Sequence, residues 1–546
     1  MKVGLAQFNP TVGAFSQNTA RIIETIERAK SLGVNLLVFP ELSIAGYPPR
    51  DFLDFPSFVQ SNRESLDRIL VRSLGITTIV GYVEENPSPT GRGLFNSAAV
   101  ISDGRMLTSY RKQLLPHYDI FDEERFFEPG TLPSIFKLEK NRIGITICED
   151  AWNFTPFLHR PYKFQPLTPL VGQVDLLLNL SASPFSLGKP SQRMDLFRLA
   201  SGYVGSPVAF CNQVGGNDEL IFDGGSFVMS RQGEVKASAP VFEEALLCFE
   251  LEGFAEKRSL EHSWPFTAPE WIAKALCLGI RDYLAKCGAE AVCIGLSGGI
   301  DSAVCASLAC HALGKENVIV VFLPSQFTSD ASKEDVLLIS RALGIELIEM
   351  SIDPFISLYE KELANLLGRA PRGHTNENIQ ARIRMSLLMA LSNDRGSLLL
   401  NTSNKSEIAT GYATLYGDSA GALSVLGDLT KKQVYEVAHY LNQGTPNIPQ
   451  RVLERAPSAE LKPDQTDQDT LPPYDVLDAL VSLSTERRMG HKDFLREGYS
   501  PRWVDRFQKM HSASEFKRKQ LPPVLRVSSK AFGMGRRMPI ASVRDF

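Results

Sequence analysis

The twelve residues Ala291–Ser302 constrain this chain more than any others. An apolar, β-branched run leads through Gly295 and Leu296 into Ser297-Gly298-Gly299-Ile300-Asp301-Ser302, and Ala303–Leu313 continues as helix-compatible sequence. Gly298 and Gly299 leave room for backbone N–H groups to converge. The positive end of the following helix dipole adds to that anion cradle. Ser297 and Ser302 supply hydroxyl donors, and Asp301 a carboxylate suited to Mg²⁺. The Gly-Lys-Ser/Thr ending of a Walker A loop is absent.

At 546 residues the chain exceeds what one hydrophobic core supports, so two or more domains are expected. Alternating strand-like and helix-like runs make it an α/β protein. Residues 1–251 hold short β-rich runs, among them Lys2–Gln7, Leu36–Phe39, Thr77–Val83, Arg142–Cys148, Leu176–Leu180 and Gly225–Met229. Residues 252–269 lose periodicity and read as a linker. From 270 to 546 helices alternate with buried, parallel-type strands at Val318–Leu323, Glu346–Met350 and Ser397–Thr402. Residues 444–473 are rich in Pro, Asp, Gln and Thr, and a loop of that length is expected to be a mobile cover over the phosphate loop.

A net charge of −4 argues against a nucleic-acid or membrane-surface partner. No apolar run approaches a membrane span of about 20 residues. Eight cysteines, most of them in apolar runs and none in a CxxC pair, are expected of a cytoplasmic protein.

Three residues of the first half each lie just beyond an apolar run: Glu41 in Phe39-Pro40-Glu41-Leu42, Lys112 after Met106–Arg111, and Cys148 in Ile147-Cys148-Glu149-Asp150. Strand ends are where side chains of α/β folds converge on a pocket. Glu41 is a base able to activate a thiol, and the Lys112 ammonium can stabilise charge developing on a carbonyl under attack.

In these settings the three resemble the Glu-Lys-Cys triad of the nitrilase, or carbon–nitrogen hydrolase, family. That resemblance implies an αββα sandwich and amide hydrolysis. It further implies that Glu123, in Phe121–Arg125, orients the lysine, and that Tyr118, Ser183 and Lys189 hold a glutamine substrate. The Ser297–Ser302 loop resembles that of the ATP pyrophosphatases, which cleave ATP between its α and β phosphates to adenylate a substrate. This implies a doubly wound parallel sheet of the adenine nucleotide α-hydrolase type.

A nitrilase-type half followed by such a loop resembles the glutamine-dependent NAD⁺ synthetases. That resemblance implies that Thr402, in Leu400–Glu407, contacts ATP, and that Asp301 and Glu407 hold Mg²⁺. It also implies that Asn378, Glu407 and Lys517 meet deamido-NAD⁺, that glutamine or ammonia supplies nitrogen, and that the chain forms a homo-oligomer, a dimer or larger. Two alternatives stay open at this level: another glutamine-dependent adenylating amidotransferase, and a catalytically idle first half serving as a scaffold.

Overall fold

The computed structural model describes residues 1–154, 161–254, 264–444, 446–458, 460–462 and 465–542. The chain divides into two compact units, Met1–Phe266 and Thr267–Phe546.

The first unit contains two six-stranded sheets. One runs in the order Ala245–Glu250, Lys2–Gln7, Leu36–Val38, Thr77–Glu85, Leu94–Ser102, Arg105–Arg111. The other runs Val235–Ser238, Phe227–Met229, Val208–Asn212, Leu176–Ser181, Asn141–Ile147, Ser134–Leu138. Strand side chains alternate between faces, and the sequence uses both. Val3, Leu5, Leu36 and Val38 of the first sheet join Ile143, Ile145, Ile147, Leu176, Leu178 and Leu180 of the second in one core. Leu37 points the other way, into a core shared with Ile22, Ile26 and Ala29 of helix Phe15–Ser31 and Leu66 and Ile69 of helix Pro56–Leu70. On the far side, Met194, Phe197 and Ala200 of helix Lys189–Val204 cover Leu177, Val208 and Phe210. The layers are therefore helix, sheet, sheet, helix.

The second unit is built on five parallel strands in the order Glu346–Glu349, Val318–Phe322, Val292–Gly295, Leu398–Asn401, Leu423–Ser424. Numbered along the chain this is 3-2-1-4-5, a doubly wound sheet. The chain steps outward from the first strand, Val292–Gly295, and then crosses back from the third, Glu346–Glu349, to Leu398–Asn401 on the first strand's other side, and at such a switch point the strand ends open a crevice. The Ser297–Ser302 loop begins there.

Several boundaries differ from the sequence reading. Cys148 stands outside its strand, which ends at Ile147, and opens a short 3₁₀ turn, Cys148–Ala151. The run read as Gly225–Met229 pairs only over Phe227–Met229, because Gly224 and Gly225 both take positive φ. Thr402 lies just past its strand, which ends at Asn401. The stretch 252–269 falls partly outside the described residues, and helix Ala268–Lys286 already begins within it. The segment 444–473 contains a short helix, Gln450–Glu454, and a 3₁₀ turn, Asp467–Asp469.

Candidate active sites

In the first unit the strand ends bring Glu41, Lys112 and Cys148 together. Gly81 lets the neighbouring strand pass close to the Glu41 segment: a Cβ there would lie 2.2 Å from Leu42 N and 2.5 Å from Pro40 O. Lys112 follows Arg105–Arg111 directly, and its Nζ donates to Glu41 Oε1 at 2.7 Å and to Glu123 Oε1 at 2.8 Å. All three side chains are buried. Asn96 Nδ2 donates to Glu41 Oε1 at 2.7 Å, the backbone N–H of Ala182 donates to Glu41 Oε2 at 3.0 Å, and Tyr47 OH donates to Glu123 at 2.8 Å. Burial works against the Lys112 charge, but Glu123 and Glu41 outweigh it and hold the ammonium protonated. Burial, with Glu41 adding to it and Lys112 opposing, raises Glu123 to about 7.

Cys148 sits at φ +43° with its side chain buried. Burial and Glu41 push its thiol up and Lys112 pulls it down. The next residue, Glu149, receives Tyr118 OH at 3.0 Å and Tyr162 OH at 3.0 Å, and burial raises its carboxyl. Lys189 opens helix Lys189–Val204 with its ammonium 3.7 Å from the Trp152 ring centre, and its charge reaches Glu149. The Ser183 backbone N–H donates to Asn212 Oδ1 at 2.9 Å, and its hydroxyl accepts from Arg193 Nη2 at 3.4 Å. Arg193 is itself paired bidentately with buried Asp223, at 3.0 Å for both contacts.

In the second unit Gly299 caps helix Ile300–Leu313. The Ser297 and Ser302 hydroxyls lie 3.1 Å apart, and Gly299 N–H donates to Ser297 Oγ at 3.2 Å. Gly298 takes φ +80°, where a Cβ would lie 2.7 Å from Ser332 O. Asp301 receives Asn404 Nδ2 at 3.0 Å and Lys431 Nζ at 2.5 Å, and Lys431 Nζ also lies 3.5 Å from Glu407 Oε1. Asn404 and Glu407 form a capping box on helix Lys405–Thr410. Burial, with Asp301 adding to it, raises Glu407 to about 8. Burial opposes the Lys431 charge, but Asp301 and Glu407 reverse the balance and push its pKa up.

Two adjoining cavities open here. One, of about 260 Å³, is lined by Leu296, Phe322, Met385, Leu388 and Arg384 among others. The other, of about 210 Å³, is lined by Gly299–Ser302, Glu407, Lys431, Arg455 and Asp467. Ser297, Thr402, Asp418, Ser458 and Glu460 line both. An apolar chamber beside a charged one has the profile of a site for a nucleotide. The 444–473 segment touches the loop directly: Arg455 Nη2 donates to Gly298 O at 2.9 Å, and Glu460 accepts from Ser329 and Ser332 hydroxyls at 2.8 and 2.9 Å.

Asn378 and Lys517 line neither cavity. They meet instead on the segment Gly411–Asp418: Asn378 Oδ1 accepts from Thr414 Oγ1 at 2.8 Å, and Lys517 Nζ donates to Gly411 O and Ala413 O at 2.8 and 2.7 Å. Lys431, Asn404, Arg193 and Glu149 are among the polar groups of these sites that the sequence reading passed over. Only the Leu429-Thr430-Lys431 helix start, with Thr430 as its cap, offered a signal for Lys431.

The two units belong to a carbon–nitrogen hydrolase-type half joined to a nucleotide-binding half, as comparison with known families shows. Residues 2–253 match the carbon-nitrogen hydrolase family and residues 272–521 the NAD synthase family. A glutamine-dependent NAD(+) synthetase of Synechocystis sp. is 42% identical, covering 99% of this chain and 98% of its own. One from Thermotoga maritima is 40% identical with the same coverage. The solved glutamine-dependent NAD⁺ synthetase of Acinetobacter baumannii, in complex with ADP, is 35% identical with a TM-score of 0.78 over 99% of this chain and 98% of its own. The chain belongs to the glutamine-dependent NAD⁺ synthetase family.

Proposed function

We propose that this enzyme converts deamido-NAD⁺ to NAD⁺ with nitrogen from glutamine, through an adenylated intermediate, releasing AMP, pyrophosphate and glutamate. The observation that carries the first half-reaction is the buried Glu41–Lys112–Glu123 array beside Cys148. Because burial keeps Cys148 as a thiol, attack on an amide needs a base, and Glu41 is the carboxylate whose charge Cys148 feels most. Glu41 takes the thiol proton as sulfur bonds to the amide carbon and passes it to the departing ammonia. The Lys112 ammonium stabilises the oxyanion. Water, deprotonated by Glu41, then cleaves the thioester to glutamate. Tyr118, Ser183 and Lys189 hold the glutamine. Glu149 offers a carboxylate to its α-ammonium group and Lys189 an ammonium to its α-carboxylate.

In the second half-reaction Gly295–Ser302 and Thr402 hold ATP, its base toward the apolar chamber and its phosphates toward the charged one. The nicotinate carboxylate of deamido-NAD⁺ attacks the α-phosphorus, pyrophosphate leaves, and ammonia displaces AMP from the acyl-adenylate. Lys431 neutralises phosphate charge. Asn378, Glu407 and Lys517 contact the dinucleotide. Among the described residues no group of three or more His, Cys, Asp or Glu is arranged to hold a metal. Asp301 and Glu407 nonetheless fit Mg²⁺, which takes one or two carboxylates and completes its shell with phosphates and water. Burial and the neighbouring Asp301 raise Glu407 while Lys431 opposes them, and the Lys431 ammonium between the two carboxylates shows that they lie close enough to share one cation. Bound there, Mg²⁺ supplies neutralisation of phosphate charge.

Leu358, Tyr359, Leu366 and Leu367 expose apolar surface on helix Asp353–Leu367, which supports assembly into a homo-oligomer. A monomer mass by light scattering would exclude it. None of the eight cysteines, all within the described residues, forms a disulfide, which suits a cytoplasmic setting.

The deciding experiment is NAD⁺ formation from deamido-NAD⁺, ATP and Mg²⁺, with glutamine or ammonium chloride as nitrogen source. Formation with both is expected. Formation with ammonium alone would remove the glutaminase half of the reading, and formation with neither would remove the acceptor.

A further inference from the structure

The two sheets of the first unit meet mainly through apolar side chains, Val3, Leu5, Val38, Ile143, Ile145 and their neighbours, with Cys211 Sγ donating across to Ala6 O and Val38 O at 3.5 and 3.3 Å away from the triad. Apolar packing is non-directional and does not by itself fix how one sheet lies along the other. Yet Lys112 comes from the edge of one sheet and Cys148 from the other. Something directional has to set their separation.

Asp150 makes that connection. Its side chain is fully buried and accepts four hydrogen bonds. Oδ1 accepts from the backbone N–H of Gln113 at 3.0 Å and of Leu114 at 2.8 Å, immediately after Lys112. Oδ2 accepts from the backbone N–H of Ile147 at 2.9 Å, immediately before Cys148, and from Tyr110 OH at 2.8 Å, two residues before Lys112. One rigid carboxylate thus holds the chain on both sides of Lys112 to the residue that precedes Cys148.

We propose that Asp150 is the positioning residue of the glutamine-hydrolysing site, a clamp across the two sheets that sets Cys148 against Lys112 and Glu41. It touches neither substrate nor reacting atoms. The inference rests on Cys148 being the nucleophile. Three of its four donors are backbone N–H groups that cannot reverse, so a fully ionised acceptor is the only side chain of this size that satisfies them. Burial raises its carboxyl only to about 6, which leaves it ionised at neutral pH.

Asp150→Asn tests the clamp because its failure is one-sided. The amide oxygen still serves Gln113 and Leu114, and the amide N–H₂ can turn to a reversed Tyr110 hydroxyl. The Ile147 N–H loses its acceptor, so the Cys148 side comes loose while Lys112 stays with Glu41 and Glu123. The kcat for glutamine hydrolysis should fall about 100-fold, the scale of a misplaced reacting group, with the KM for glutamine unchanged. Alkylation of Cys148 by iodoacetamide should shift its alkaline limb to higher pH, since Lys112 is what pulls that thiol down. A purely structural residue would move neither the kcat-against-KM split nor the alkylation profile. It would lower thermal stability and ammonium-driven NAD⁺ formation along with everything else, and that pattern would overturn the proposal. Tyr110→Phe, which removes one donor and keeps the backbone three, should shift both readouts in the same direction by less. Parental kcat and alkylation profile in both variants would also overturn it. Cys148→Ala separates the two levels: if it still hydrolyses glutamine the nucleophile reading fails, whereas an inactive Cys148→Ala beside a fully active Asp150→Asn refutes the clamp alone.

Discussion

At Cys148 burial and Glu41 both hold the proton on sulfur, and Lys112 opposes them. That balance differs from cysteines whose thiolate is formed in advance by a helix terminus or a cationic partner. On the proposed mechanism the proton leaves only as the bond to carbon forms, so the base has to be held in place. Glu41 is held on both oxygens, by Lys112 and Asn96 on one and by Ala182 N–H on the other. Glu407 shows the opposite logic in the second unit. With its pKa raised to about 8, the folded chain keeps a proton that the unfolded chain loses near the ordinary glutamate value of about 4.3. This residue's contribution to stability is therefore fully present below that value and is lost as pH rises through about 8. Glu407→Gln cannot ionise, so in urea unfolding without ligands it should gain steadily on the parent protein between pH 5 and pH 9. A pH-independent difference would refute the assignment.

The strand-turn-helix at Val292–Leu313 works as an element because its turn is tight. Gly298 is held at φ +80° against the start of helix Asp330–Leu343, with Ser332 O where a side chain would begin. Gly298→Ala should cost about 1–2 kcal/mol from the left-handed backbone alone, before the clash. It should remove NAD⁺ formation from either nitrogen source while glutamine hydrolysis persists; retained synthesis with ammonium would show that the loop tolerates the change. This element was legible in the sequence because glycines and the switch from β-branched to helical residues are local signals. The places of Glu41, Lys112 and Cys148 were legible for the same reason, each following an apolar run. Lys431 was not: it reaches Asp301 from 130 residues away in the chain, and no local pattern records such a meeting. Asp150 was visible only as a neighbour of Cys148, since its partners Gln113 and Leu114 are set by how two sheets stack. The short strands Val214–Asn217 and Leu220–Asp223 escaped as well, their glycines and acids reading as turn.

On the scale of the whole molecule, the chain forms two compact units, and the proposed reading assigns one half-reaction to each, so single changes should separate them. Cys148→Ala is expected to abolish NAD⁺ formation with glutamine and spare it with ammonium chloride, whereas Asp301→Ala should remove both. Equal loss in the two variants would sink the two-site scheme. The backbone at Cys148 adds a consequence for the stability of the protein. A left-handed conformation suits glycine and is uphill for any residue with a Cβ. If Cys148 is the nucleophile proposed above, it is kept where the chain would prefer glycine, and activity and durability pull in opposite directions at one position. Cys148→Gly should unfold at a higher temperature than Cys148→Ala, though neither can hydrolyse glutamine. If Cys148→Gly also matches or exceeds the native protein, then the enzyme gives up part of its own stability at the sulfur that the proposed reading makes the source of its nitrogen.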